Sequence, residues 1–227
     1  MVLQARWCAS AGAGSTGEAV DARFRYAAGV ETRALAIAHA FVFTPVQHAD
    51  DRGVFLETYR YEAVRDAVGH ELSLRQANTS VSAKGVVRGI HFARVPPGQA
   101  KYVMVTSGAI LDFVVDLRVG SPTFGEWDSV VLDDIDRRSL YVAEGLGHAF
   151  VALTAGATVT YLVSEVFNGE RELGINPLDP DLGLEFGDVL PLVSARDERA
   201  PTLAAALAGG LLPTWDDSLA LYERLAG

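Results

Sequence analysis

Four polar side chains lie inside short runs of strand-forming residues, and their types suit the movement of a proton next to a carbonyl group. They are His91, Lys101, His148 and Tyr161. Such a reaction needs a base that takes the proton, a cation that meets the charge on the carbonyl oxygen, and an acid that returns a proton. An imidazole, an ammonium group and a phenol can supply these three functions.

The spacing of Arg88 and His91 decides whether both can point into one cavity. Strict alternation along a strand places residues three apart on opposite faces. Gly89 lies between them, and a glycine there permits a β-bulge that turns one side chain to the other face. The sequence therefore allows Arg88 and His91 to share a face.

Each candidate also has an ordinary structural interpretation. His91 could be a core imidazole with one hydrogen bond, and Lys101 could be a solvated lysine at a strand end. Tyr161 could be a buried tyrosine with a tethered hydroxyl. Asp197 precedes a predicted C-terminal helix, where an aspartate is usually a helix cap or a surface residue.

The sequence does not favour a metal or dinucleotide site. His91 has no second histidine within a few residues, and Cys8 is the only cysteine, so a first shell of imidazoles or thiolates is hard to assemble. His39, His48 and His70 lie near predicted turns or the N-terminal extension and are expected at the surface. No glycine-rich turn of the dinucleotide-binding type connects a predicted strand to a predicted helix.

The composition indicates a globular protein and excludes two classes of partner. The chain has 227 residues, of which 49% are hydrophobic, and no apolar run approaches the roughly 20 residues that span a bilayer. The net charge of −10 argues against a nucleic-acid surface, which would carry a basic stripe. An anionic small ligand would have to be held by a few local cations, because the overall negative charge repels it. We expect a cytoplasmic protein with no signal peptide and no membrane association.

Short strand-like runs recur at close spacing with turn residues between them, and only one helix, at 61–68, interrupts them. This pattern predicts antiparallel sheets in a sandwich or barrel. We divide the chain into a flexible N-terminal extension (1–34), a β-domain (35–198) and a C-terminal helical segment (199–227). The strands are predicted at 40–44, 54–59, 72–80, 86–93, 101–106, 109–116, 127–132, 139–142, 148–153 and 157–164.

Eight stretches between about residues 40 and 200 carry a resemblance to a known family. They are Asp50–Gly53 with Phe55 and Glu57, Gln76–Ser80, Gly85–Phe92, Gln99–Lys101, Asp112–Arg118, Ser121–Gly125, Glu144–Phe150 and Asp179–Gly183. In order and spacing they resemble the dTDP-4-keto-6-deoxyhexose (dTDP-4-dehydrorhamnose) 3,5-epimerases of the RmlC type. The segment from Arg171 to Pro191 and the long C-terminus are similar to the antibiotic-deoxysugar branch.

The resemblance implies an all-β, cupin-like jelly-roll β-sandwich with short peripheral and C-terminal helices. It implies that His91 is the general base and that Asp197 is its partner. Lys101 would lie near the sugar carbonyl oxygen, and Tyr161 would be the acid on the opposite face of the ring. The residues implied to bind the substrate are Arg52, Phe55, Glu57, Gln76, Asn78, Arg88 and His148.

The implied activity is epimerisation at C-3 and/or C-5 of a dTDP-4-keto-6-deoxyhexose in deoxysugar biosynthesis, by a homodimer without metal or nicotinamide. The chain departs from the family at Val166 and Phe167, where paired aromatic residues are frequent. Alternatives are a mono-epimerase at C-3 or C-5 only, a cupin-like metal-dependent protein, and a sugar-nucleotide-binding protein without activity.

Overall fold

The structure, a computed structural model, describes the backbone of residues 24–27 and all of residues 29–227. In this part of the chain two β-sheets pack face to face as a sandwich. In chain order the strands are β1 (Phe24–Ala27), β2 (Val30–Ala34), β3 (Ala40–Pro45), β4 (Gln47–Asp50), β5 (Gly53–Leu56), β6 (Gln76–Ser82), β7 (Val86–Ala93), β8 (Lys101–Ser107), β9 (Ala109–Asp116), β10 (Trp127–Asp133), β11 (Ser139–Val142), β12 (Leu146–Ala152), β13 (Ala157–Val163), β14 (Glu172–Gly174) and β15 (Leu192–Val193).

The first sheet contains seven strands in the order β1-β2-β3-β11-β8-β13-β6. The second has the order β10-β9-β12-β7-β14, and β15 pairs in parallel with the first residues of β7. Strands β4 and β5 form a separate hairpin. The predicted jelly-roll β-sandwich is confirmed.

The helices are short and lie outside the sandwich. They are α1 (Tyr61–Val68), α2 (Ala195–Glu198), α3 (Leu203–Ala208) and α4 (Trp215–Ala226). Helix α1 has the predicted bounds and ends at Gly69, which adopts φ 95° and donates its N–H to the Arg65 carbonyl at 2.8 Å. No helix in the described part of the chain is both long and apolar enough to cross a membrane.

Two hydrophobic cores cover both faces of the second sheet. The first fills the space between the sheets and includes Val103, Ile110, Val114, Leu140 and Val159. The second lies between the outer face of the second sheet and the C-terminal region, and it includes Val87, Phe113, Val151, Ile175 and Ala206. Because both faces are covered, β12 is buried along its whole length and its sequence shows little polar alternation.

Strand β7 carries a β-bulge that brings two polar residues to the same face. Val87 and Ile90 both belong to the outer core although they are three residues apart. The pairing of β7 with β12 shifts by one residue between Arg88 and His91. Arg88 and His91 therefore both point to the inside of the sandwich, as the sequence allowed.

Gly89 is the residue that permits this bulge. It adopts φ 125°, and a Cβ built on it would lie 2.5 Å from the Ala149 Cβ and 2.6 Å from the His148 carbonyl oxygen. A side chain at this position would collide with the backbone of β12, and the dihedral angle disfavours any L-residue.

The terminal segments belong to the fold more closely than expected. Residues 30–34, predicted within a flexible extension, form β2 and pair with β3, whereas residues 1–23 and 28 lie outside the described residues. At the other end, Ala206 of α3 is fully buried. The C-terminal segment therefore forms one side of the second core. The hydrophobic pattern within a single strand or helix does not show such a long-range contact.

Two histidines predicted at the surface are not there. His70 is 6% exposed, and its Nδ1 lies 2.9 Å from the Glu71 carbonyl oxygen. His39 is partly buried and accepts a hydrogen bond from Arg118 at 3.0 Å. Burial and the adjacent guanidinium lower the pKa of His39 to about 4. His48 is exposed, as predicted.

Replacing Gly89 by alanine tests the bulge. We expect Gly89→Ala to lower the free energy of unfolding by roughly 1–3 kcal/mol, because the substitution adds both strain and overpacking. Gly156→Ala is the matched control, since Gly156 also has a positive φ of 75° but has no atom within 4 Å of the point where its Cβ would lie. Equal losses in the two variants, measured by denaturant unfolding, would contradict the role assigned to Gly89.

Candidate active site

A cavity of about 680 Å³ opens between the two sheets, where β6 and β13 face β7 and β12. Its walls come from both sheets, including β14 and β15 of the second, and from α2. Eight of the eleven predicted site residues line it: Gln76, Asn78, Arg88, His91, Lys101, His148, Tyr161 and Asp197.

His91 and Asp197 form a hydrogen-bonded pair on the wall that belongs to the second sheet. The His91 Nε2 lies 2.7 Å from Asp197 Oδ1, and the imidazole is 35% exposed while the carboxylate is 8% exposed. A carboxylate accepts, so Nε2 carries the proton and Nδ1 keeps its lone pair. The pair thus leaves His91 with one nitrogen able to take a proton.

Asp197 is held as an anion by its surroundings. Burial opposes its ionisation, but the hydrogen bond from His91, together with the attraction to the protonated form of that imidazole, outweighs this effect and lowers the pKa of Asp197. Its backbone N–H donates to the Ser194 hydroxyl at 3.1 Å, which caps helix α2. The sequence allowed Asp197 to be a helix cap in front of a helix, but Asp197 lies inside α2 and Ser194 is the cap. Its contact with a strand residue 106 positions away left no local signal.

His148 stands beside His91, because the two residues pair directly across β12 and β7. Its Nε2 lies 2.8 and 3.0 Å from the two carboxylate oxygens of Asp112, which is fully buried. Burial raises the pKa of Asp112, and His148 opposes that rise. The pair fixes the second imidazole on the cavity wall.

Lys101 lies on the opposite wall, at the first position of β8. It is 8% exposed, and its ammonium donates to the Gln99 side-chain oxygen. Burial lowers the pKa of Lys101 to about 8, while Glu172 and Glu144 act in the opposite direction. The alternative interpretation of Lys101 as a solvated strand-end lysine is therefore excluded.

Tyr161 lies near Lys101 on the same wall. It is two residues before Val163, which pairs with Lys101 across β13 and β8, so both side chains lie on one face of the sheet. Burial raises the pKa of the Tyr161 phenol against the opposing effect of Arg88. The phenol therefore keeps its proton at neutral pH.

The two walls separate the groups that could remove and return a proton. His91 belongs to the second sheet, whereas Lys101 and Tyr161 belong to the first. A flat ring held between the sheets would meet His91 on one face and Tyr161 on the other. This arrangement suits inversion of a carbon next to a ketone, which requires proton removal and delivery on opposite faces.

The cavity brings together three cationic side chains in a protein of net charge −10, alongside the carboxylates of Glu172 and Asp197. Arg88, Lys101 and Arg196 all line it. Arg88 is also tethered, because its Nε donates to the Ser82 hydroxyl at 3.1 Å. Local cations of this kind can hold an anionic ligand against the overall field.

Three predicted substrate-binding residues are not in this cavity. Arg52 lies on the β4–β5 hairpin with 90% of its side chain exposed and pairs with Asp50. Phe55 on the same hairpin is 70% exposed. Glu57 pairs with Arg60 at 2.9 Å. Within one chain these three side chains do not meet the other candidates.

The cavity is also lined by residues that the sequence analysis did not assign, among them Gln99, Phe150, Glu172, Ser194 and Arg196. Glu172 begins β14, whose three residues are too few to show any periodicity. Ser194 and Arg196 lie within three residues of the predicted Asp197. This closeness in sequence is the one feature from which they could have been assigned to the site. No group of three or more His, Cys, Asp or Glu side chains in the described chain is arranged to hold a metal ion.

Comparisons with known proteins show what this chain is similar to. A family model described as dTDP-4-dehydrorhamnose 3,5-epimerase matches residues 34–205. The dTDP-4-dehydrorhamnose 3,5-epimerase of Mycolicibacterium smegmatis is 53% identical over 85% of this chain and 96% of its own.

Two solved structures are also similar. The rmlC epimerase of Mycobacterium tuberculosis has a TM-score of 0.84 and 47% identity, covering 86% of this chain and 98% of its own. ChmJ, a 3'-monoepimerase from Streptomyces bikiniensis solved with dTDP-quinovose, has a TM-score of 0.82 and 47% identity, covering 85% and 98%. The chain therefore belongs to the dTDP-4-dehydrorhamnose 3,5-epimerase family of isomerases.

Proposed function

We propose that this protein epimerises a dTDP-4-keto-6-deoxyhexose next to its C-4 ketone, at C-3 and, in addition or not, at C-5. The similar proteins agree on C-3, since one is named a 3,5-epimerase and another a 3'-monoepimerase. The observation that carries the proposal is the placement of His91 and Tyr161 on opposite walls of one cavity.

The first step is removal of a hydrogen from the carbon beside the ketone. His91 takes this proton on Nδ1, while Asp197 holds the ring through Nε2 at 2.7 Å and stabilises the imidazolium that forms. A positioned base contributes on the order of 10²–10⁴-fold to the rate. The C–H electron pair forms a double bond between that carbon and C-4, and the π electrons of the ketone move onto the C-4 oxygen, which becomes an enolate.

Lys101 meets that charge. An ammonium in a buried site interacts with a developing oxyanion far more strongly than one in water. His148, which Asp112 fixes through Nε2, would contact the substrate at the same wall as His91. A different proton is then delivered from the Tyr161 hydroxyl to the opposite face, and the stereocentre is inverted. The enzyme returns to its starting state when His91 releases its proton to solvent and Tyr161 takes one up. The reaction is redox-neutral and requires no nicotinamide.

The dTDP group would bind through cations and the polar residues of β6. Arg88 and Arg196 suit the diphosphate because guanidinium groups bind phosphate oxygens in pairs. Gln76 and Asn78 lie further along the cavity wall and are hydrogen-bonded to each other at 2.6 Å. We propose that they contact the nucleotide.

A homodimer would bring the remaining predicted residues to the site. Arg52 and Phe55 are exposed on a hairpin that stands apart from both sheets, and an exposed aromatic beside exposed Val54 is typical of an interface. We propose that this hairpin reaches the cavity of a second copy. The cytoplasmic location expected from the sequence remains part of this proposal.

Exchange in deuterated water separates the roles of the two walls. His91→Ala should abolish both incorporation of deuterium into dTDP-4-keto-6-deoxyglucose and epimer formation, because the base is gone. Tyr161→Phe should reduce epimer formation more than exchange, since His91 can still return a proton to the original face. NMR of the product locates the label at C-3, C-5 or both.

Equal losses of exchange and epimerisation in Tyr161→Phe would show that the tyrosine is not a dedicated acid. Unimpaired exchange in His91→Ala would overturn the mechanism. Phe167 has no proton to give, so no second phenol at that position can substitute.

The pH dependence should report the state of Lys101. Because the ammonium form is required and its pKa is about 8, kcat/KM should fall as the pH rises above about 8. In Lys101→Arg the guanidinium stays protonated to pH 12 or above, so activity should be lower but the fall should move to higher pH. If kcat/KM of Lys101→Arg falls at the same high pH as that of the unaltered protein, a group other than Lys101 causes the fall.

Mixed dimers test whether the hairpin serves the second subunit. Phe55→Ala should raise KM, and His91→Ala should be inactive. If Phe55 acts across the interface, mixing the two variants creates one site with both wild-type residues in each mixed dimer. Activity at low substrate should then exceed that of either variant alone. No gain on mixing, or a species of only 24.2 kDa in light scattering, would refute the dimeric site.

A further inference from the structure

A buried carboxyl group lies directly behind the cavity without lining it. Glu144 occupies the turn between β11 and β12 and is 3% exposed. Its Oε1 accepts a hydrogen bond from the Ser164 hydroxyl at 3.0 Å, and its Oε2 has no hydrogen-bond partner among the described residues. Burying an ionisable group in this way is costly, so its position calls for a physical reason.

Three contacts hold the turn that carries this carboxyl in place. A Cβ on Gly98 would lie 2.5 Å from the Glu144 Cβ, so the glutamate stem packs directly on the segment before β8. The Tyr222 hydroxyl of α4 donates to the Glu144 carbonyl. A Cβ on Gly145 would lie 2.7 Å from the Ser218 Oγ of the same helix. The turn is thus fixed between α4 and the approach to β8.

Ser164 connects this carboxyl to the start of β8. The Ser164 hydroxyl accepts the Ala100 N–H at 2.8 Å, and the Ser164 N–H donates to the Ala100 carbonyl at 3.1 Å. Ala100 immediately precedes Lys101. Glu144 is therefore linked through one hydroxyl to the residue before the lysine that faces the substrate.

The charges around Lys101 come from two sides. Glu172 on β14 lines the cavity, whereas Glu144 lies behind it, and both favour the charged form of the lysine. The other polar groups that share its surroundings are Gln99, which accepts from the ammonium, and the cavity groups Tyr161 and His148. The second carboxyl, Glu144, acts without touching the substrate.

We propose that Glu144 is a positioning residue of the epimerase, whose negative charge, held by Ser164, keeps the buried Lys101 ammonium protonated and in place. The inference rests on the proposed function and deepens it. Glu172 can be screened or engaged when a ligand fills the cavity. Burial raises the pKa of Glu144, and the Ser164 hydrogen bond and nearby His70 oppose that rise. In its ionised form Glu144 would supply its charge from outside the cavity, in the free and the bound enzyme alike.

Lysine NMR measures this effect without any turnover. The chain has two lysines, Lys84 and Lys101, so protein labelled with [¹³Cε]lysine gives two signals, which Lys84→Arg assigns. In Glu144→Gln the Lys101 titration midpoint should fall by about half a unit or more, in line with the loss of a nearby opposite charge. The exposed Lys84 signal is the internal reference and should not move.

Glu223→Gln is the matched control, because it removes the same charge from an exposed position on α4 and should leave both midpoints unchanged. Activity adds a second readout. In Glu144→Gln the upper limb of kcat/KM should shift to lower pH by the same amount as the NMR midpoint, with KM nearly unchanged at pH 7. Glu144→Asp keeps the charge, so its Lys101 midpoint should lie close to that of the unaltered protein.

A folded Glu144→Gln protein with an unchanged Lys101 midpoint would overturn the proposal and leave Glu144 a structural turn residue. If Glu144→Gln does not fold, Ser164→Ala takes its place. Loss of the hydroxyl makes the carboxyl harder to ionise, so the Lys101 midpoint should again fall, and an unchanged midpoint there would overturn the proposal. If the proposed epimerase function is wrong, the outcome differs: the Lys101 midpoint would still shift in Glu144→Gln, but the unaltered protein would form no epimer.

Discussion

The close approach of β7 to β12 at Gly89 is the constraint on which the rest of the site depends. Only a residue without a side chain fits where a Cβ would lie 2.5 Å from Ala149. The bulge that results turns His91 to the same face as Arg88. Without it, the candidate base would point away from the cation that is proposed to hold the diphosphate.

The jelly roll then provides what a single sheet cannot. One sheet carries His91 and His148, the other carries Lys101 and Tyr161, and the space between them is about 680 Å³. Each imidazole is fixed by a partner carboxylate, as Asp112 fixes His148 and Asp197 fixes His91. Preorganised groups of this kind do not have to reorient when charge develops, which is the main source of their catalytic effect.

Sequence patterns predicted much of this architecture because strands and turns leave local signals. Helix α1 and strands β7, β9 and β11 have the predicted bounds, and Gly89 marked the bulge. Local patterns failed where a residue's role depends on distant contacts. Asp197 meets His91 across 106 residues, His70 is buried by packing that no local pattern encodes, and β14 is too short to predict. Only resemblance to a family singled out Asp197.

The central claim is that the reacting sugar lies between a base on one sheet and an acid on the other. A crystal structure with dTDP-quinovose, which has no ketone and cannot turn over, measures this directly. We predict the His91 Nδ1 and the Tyr161 hydroxyl on opposite faces of the sugar ring, with the Lys101 ammonium within about 3 Å of the C-4 oxygen. A ring with both groups on one face, or with its C-4 oxygen away from Lys101, would contradict the account.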